Sequence, residues 1–159
     1  MNTRMTLFAA ALASAFAMVP AASIAAQPHA HHEEARSLTL DNGSKWKVDE
    51  PLRMGMESIR DQVTQMHLAG ERAPLKPEYY EALGLSIQGE IADIVKNCKL
   101  EPRADANFHV LLADLDEAAE ALKRRTAKDQ HRGMSKAREV LERYGRYFDH
   151  PGWAAQQRA

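Results

Sequence analysis

Cysteine is nearly missing from this chain: Cys98 is the single one in 159 residues. No intrachain disulfide can form, and a lone thiol in an oxidising compartment is buried, bound to a metal, or paired with another molecule. A basic excess is missing too. Lys and Arg number 21 against 22 Asp and Glu, which leaves no electrostatic footprint for nucleic acid or anionic lipid. Also absent are Cys-x-x-Cys-His for covalent haem, a phosphate-cradling Gly-rich loop, His-Glu-x-x-His and Gly-x-Ser-x-Gly. Acidic residues fall mostly opposite the apolar stripes described below, so no buried carboxylate pair stands out. These absences argue against catalysis and against nucleic-acid binding.

One long apolar run is present, at the N-terminus. Arg4 precedes Thr6 to Val19, Pro20 breaks the run, and Ala21 to Ala26 supplies small residues. This is the pattern of a secretory signal peptide over 1–26, cleaved near Ala26. The run is too short for a bilayer span of about 20 residues. Removing Arg4 leaves 20 Lys and Arg against 22 Asp and Glu, a net charge of −2. The expected organisation is a signal peptide (1–26), a flexible His-containing leader (27–37), a four-helix domain (38–153) and a tail (154–159).

Leu38-Thr39-Leu40 and Trp46-Lys47-Val48 alternate around Asn42-Gly43, a strong hairpin signal because both turn residues accept positive φ. Four amphipathic stretches follow. Asp49 caps the first, with Pro51 in its opening turn, and its stripe is Leu52, Met56, Ile59, Val63 and Met66. Gly70 and Pro74 end it. Pro77 opens the second, with Tyr80, Leu83, Ile87, Ile91, Ile94 and Cys98 on one face. The third starts near Arg103 and carries Phe108, Leu111, Leu115, Ala118 and Leu122. The fourth carries Met134, Ala137, Leu141, Tyr144 and Phe148, and stops at Asp149-His150-Pro151-Gly152. Its beginning, between Leu122 and Met134, is the least defined boundary. Short connections make neighbours antiparallel, so the expected fold is all-α: an up-down-up-down four-helix bundle preceded by a short β-hairpin-like segment.

Antiparallel order gathers the start of helix one, the end of helix two, the start of helix three and the end of helix four at one pole. Met56, Cys98, His109 and the group Tyr144, Tyr147 and His150 belong there. Met56 and His109 sit about 8–10 Å into their helices at 1.5 Å per residue, and their Cβ atoms lean back toward the pole. Thioether and thiolate are soft ligands that favour Cu(I), and imidazole suits copper or zinc. Zinc calls for a fourth ligand, for which His150 or a carboxylate is the candidate. Against this stands ordinary packing: Met56 lies within an apolar stripe, a free cysteine often behaves as a small apolar residue, and His109 falls toward the edge of its stripe. His150, before Pro151, reads as a helix-terminal residue, favourable there when protonated. Tyr144, Tyr147 and Phe148 are expected to form an aromatic plug, with Trp46 and Trp153 at the same end.

The leader carries a second, weaker metal candidate, His29, His31 and His32. Cleavage after Ala26 makes His29 the third residue, which resembles the amino-terminal copper site that uses a third-position histidine. Pro28 has no amide proton to give up, so the square-planar chelate cannot close and a weak copper or zinc tail, or a plain solvated leader, is what remains.

Three stretches carry a resemblance: Leu40 to Trp46 running into Asp49 to Met56; Ile94 to Leu100 with Ala104-Asp105; and Arg143 to Trp153. They resemble an uncharacterised family of small exported proteins of Gram-negative bacteria. The resemblance implies a periplasmic location and supports the helical architecture; it implies no activity. A bundle of this kind is also similar to cytochrome b562, whose haem is held by a helix-one Met and a helix-four His. The helix-four counterpart here is His150, past the expected helix end, which ranks haem low. The leading expectation is a periplasmic, copper-binding bundle in metal homeostasis or tolerance. The alternative is a metal-free interaction module with an apolar patch near Arg53, Met54 and Val110. The sequence names no protein partner.

Overall fold

The structure is a computed structural model and describes residues 37–153. The expected signal peptide, nearly all of the leader with His29, His31 and His32, and the tail lie outside the described residues. Four helices, α1 (Glu50–Arg72), α2 (Pro77–Asn97), α3 (Pro102–Lys123) and α4 (Ala127–Tyr147), are framed by two short strands, β1 (Trp46–Lys47) and β2 (Phe148–Asp149). No helix among the described residues is long and apolar enough to cross a membrane.

Local chemistry sets the helix ends. Asp49 has extended backbone and its Oδ1 accepts the Leu52 N–H at 3.1 Å, satisfying one of the donors that a helix start leaves open. Thr126 caps α4 through the Asp129 N–H at 3.1 Å, which places the boundary that the sequence left vague. Prolines occupy the first turns of α1, α2 and α3, where a missing N–H costs nothing. α1 runs two residues past Gly70 before Pro74 stops it.

Each helix buries one stripe. Leu52, Met56, Ile59, Val63, Ile87, Ile94, Phe108, Leu111, Leu115, Leu122, Ala137 and Tyr144 are all but fully enclosed in one core. Burying a side chain of Leu or Ile size contributes about 1.5–3 kcal/mol, so these stripes drive assembly. Glycines set how close the helices come. A Cβ on Gly55 would overlap the Ile94 side chain, and one on Gly84 would lie 2.6 Å from the Ala119 carbonyl oxygen. The α3–α4 and α2–α3 seams are the most extensive, and α1–α4 is the loosest of the adjacent pairs.

The turn at the N-terminal side forms as expected: Asn42 and Gly43 take φ of 49° and 87°, and Asp41 and Ser44 exchange backbone hydrogen bonds at 2.8 Å. The strand beyond it does not pair with Leu38–Leu40. Trp46–Lys47 pairs in parallel with Phe148–Asp149 at the far end of the chain. A lone two-stranded ribbon is marginal in water, whereas this pairing buries the Trp46 indole and the Phe148 ring in the core.

Candidate functional site

Helix polarity does bring the ends of α2 and α4 and the starts of α1 and α3 to one pole, and an aromatic cluster caps it. Tyr144 and Phe148 stack at 5.2 Å between ring centroids, Phe108 meets both edge-on, and Trp153 stands on Tyr144 at 4.7 Å. Phe108 joins the residues expected at this end, and Tyr147 is half-buried against the same core.

His150 belongs to that cluster. It is not the helix-terminal residue expected: the chain passes through β2 before reaching it, and its imidazole is 0% exposed. Nε2 lies 3.0 Å from Glu57 Oε1 and Nδ1 lies 3.0 Å from the Tyr144 hydroxyl. The tautomer that satisfies both contacts donates from Nε2 to the carboxylate and accepts the Tyr144 proton at Nδ1. Both ring nitrogens are therefore engaged. The hydrogen bond from His150, aided by Arg53, holds the Glu57 carboxyl below the usual range, and burial, reinforced by the charges of Glu57 and Asp49, pushes the Tyr144 hydroxyl up. Arg60, buried on the same face of α1, stacks its guanidinium 4.6 Å over the Trp153 ring. This network fastens the segment that follows α4 to α1.

Met56 is fully enclosed in the core. Cys98 is the C-cap of α2, its N–H donating to the Ile94 carbonyl at 2.8 Å, and its half-buried side chain packs against the same core. Burial raises the thiol pKa, and the negative charges of Asp49 and Asp105 add to the rise. Asp49 reaches this position because its second oxygen accepts the Lys99 N–H at 2.5 Å.

His109 stands one helical step outside the core, next to the buried Phe108, with its side chain 59% exposed. Nδ1 lies 3.0 Å from the Asp105 carbonyl oxygen. A carbonyl only accepts, so Nδ1 carries the proton and Nε2 is the nitrogen with the free lone pair. The helix register sets what faces it. Gln88 of α2 donates to Asp116 and Glu120 of α3 at 2.9 and 2.8 Å. Carried ten residues along two antiparallel helices, that register puts Cys98 opposite 106–110 of α3. The electrostatic effect of Asp105 on the thiol fits this placement.

Cys98, Asp105 and His109 thus stand at one level of the α2–α3 pair, with Cys98 packed against the core and His109 exposed; Met56 is enclosed in the core and His150 sits apart in its own network. Among the described residues no three His, Cys, Asp or Glu side chains form a group that could hold a metal. Of the positions expected to form an apolar patch, Met54 is exposed, Val110 is half-buried, and Arg53 is paired with Glu50 and Glu57. The roles of Glu57 and Asp105 escaped the sequence reading. Asp105 and His109 stand four apart on one helix, a visible signal; Glu57 and His150 are 93 residues apart and give none. No family model, curated protein or solved structure matches this chain.

Proposed function

We propose that this chain is a periplasmic copper-binding bundle that serves metal homeostasis or tolerance, taking Cu(I) between the thiolate of Cys98 and Nε2 of His109. The thioether of Met56 is the third donor from below. One observation carries the reading: the Asp105 carbonyl occupies Nδ1 of His109, which fixes the tautomer and leaves Nε2 free, at the level of the bundle where the register puts Cys98. Metal-binding histidines characteristically tie their other nitrogen to a carbonyl or carboxylate in this way. The charges of Asp49 and Asp105, which disfavour an isolated thiolate, favour a cation. A bound metal displaces the thiol proton to solvent. Soft sulfur donors with one imidazole suit Cu(I) better than zinc, which prefers four ligands.

The test is a titration of the mature protein with Cu(I) against a competing chelator, repeated with Cys98→Ser and His109→Ala. Each variant is expected to lose at least tenfold in affinity; equal affinity in all three proteins removes the proposal. A metal-free interaction module is the second reading, favoured by an apolar groove of about 540 Å3 between α1 and α2, with Leu75, Tyr79 and Leu83 in its wall. Haem ranks below both, because His150 has no free nitrogen to offer as an axial ligand.

A further inference from the structure

The opposite pole holds a second collection of soft donors. A cavity of about 390 Å3 opens where the end of α1 meets the start of α4, at the loosest adjacent seam of the bundle. Met66, His67 and Glu71 line it from α1, and His131 and Met134 from α4. Two of the four imidazoles and two of the four thioethers among the described residues therefore face one cavity. The arrangement follows from helical spacing: Met66 and Met134 sit at the edges of their apolar stripes, partly buried against the core, and each brings a histidine within three residues.

We propose that this cavity is a second soft-metal site, which takes Cu(I) through the thioethers of Met66 and Met134 and the imidazoles of His67 and His131. Nε2 of His67 lies 3.3 Å from Glu71 Oε1, which leaves Nδ1 with no hydrogen bond among the described residues. His131 is exposed and has no hydrogen bond or ion pair among the described residues. Glu71 also supplies the negative charge that attracts a cation. The neighbouring guanidiniums of Arg124 and Arg132 are turned onto Asp129, at 3.8 and 2.9 Å. His67, Glu71 and His131 do not make a three-ligand group by themselves. The thioethers complete the set, and thioethers select monovalent copper over zinc. No proton is displaced, because all four donors bind as neutral groups.

This site does not depend on Cys98 or His109, and the experiment keeps the two apart. The Cys98→Ser protein, labelled with 13C at the methionine methyl groups, is titrated with Ag(I), a redox-stable stand-in for Cu(I). The Met66 and Met134 methyl signals are expected to shift together and to saturate at one equivalent. In a His67→Ala/His131→Ala version of the same protein, affinity read from these signals is expected to fall at least tenfold. Both replaced histidines are at least partly exposed, so the fold tolerates the change; circular dichroism checks it. Methyl signals that stay still, or that shift equally with and without the two histidines, overturn the proposal. Loss of the Cys98 site leaves this readout unchanged.

Discussion

Replacing Gly133 with Ala adds one methyl group at the tightest place between α3 and α4. Its Cβ would stand 2.8 Å from the Ala118 carbonyl oxygen, 2.8 Å from Leu122 Cγ and 2.9 Å from the Leu122 nitrogen. Two of those three atoms are backbone, so no side chain can turn aside and the helices must part. Overpacking of this kind costs about 1–3 kcal/mol, against a gain of about 1 kcal/mol for Ala over Gly inside a helix. The net loss is up to about 2 kcal/mol. Gly89 supplies the internal control: it is also mid-helix, but nothing lies within 4 Å of its Cβ position, so Gly89→Ala keeps the gain of about 1 kcal/mol unopposed. The two variants should differ by the overpacking cost, about 1–3 kcal/mol in urea denaturation followed by circular dichroism, which corresponds to roughly 4–12 °C in Tm. If Gly133→Ala is as stable as Gly89→Ala, the backbones of α3 and α4 are not this close and the packing described above is wrong.

Two further outcomes test the network around His150. Tyr144→Phe keeps the ring and removes the donor to Nδ1, leaving a buried acceptor unsatisfied; stability should drop by about 1–3 kcal/mol, and an unchanged urea midpoint would show that the hydroxyl contact is absent. Acid should weaken the fold through Glu57 and Asp114. His150 lowers the Glu57 carboxyl; for Asp114, burial opposes, but the hydrogen bonds from Lys136 and Arg143 prevail and lower it. A carboxyl depressed in the folded state contributes stability above its unfolded pKa of about 4, and loses it as pH falls through the depressed value. Glu57→Gln should flatten the acid limb of stability against pH; curves for the variant and the wild type that run parallel would refute the link.

The core was legible because helical burial repeats along the chain. Leu52, Met56, Ile59 and Val63 recur every three or four residues, and all four are buried. Asp49 and the prolines that follow the caps act over one turn, so they too could be read locally. The pairing of Trp46 with Phe148 could not. A parallel partner a hundred residues away leaves no spacing to detect, and the nearby Asn42-Gly43 turn pointed to a hairpin partner instead. His150 misled for the same reason: next to a proline, past a helix end, it read as a helix-terminal residue and a candidate fourth ligand, yet Glu57 and Tyr144 take both its ring nitrogens.

By itself, the sequence determined how many helices there are, where most of them begin and end, and which face of each is apolar, because those properties depend on neighbours within a few positions. Short connections then left little choice but antiparallel order, and with it the pole to which each donor belongs. Only the tertiary structure decided which donors meet. Side-chain direction at the rim of a helix depends on the register with the next one, and that register is set by where glycines let the backbones touch. So His109, one step outside the core, is exposed with Nε2 free, while His150 is enclosed with no nitrogen to spare.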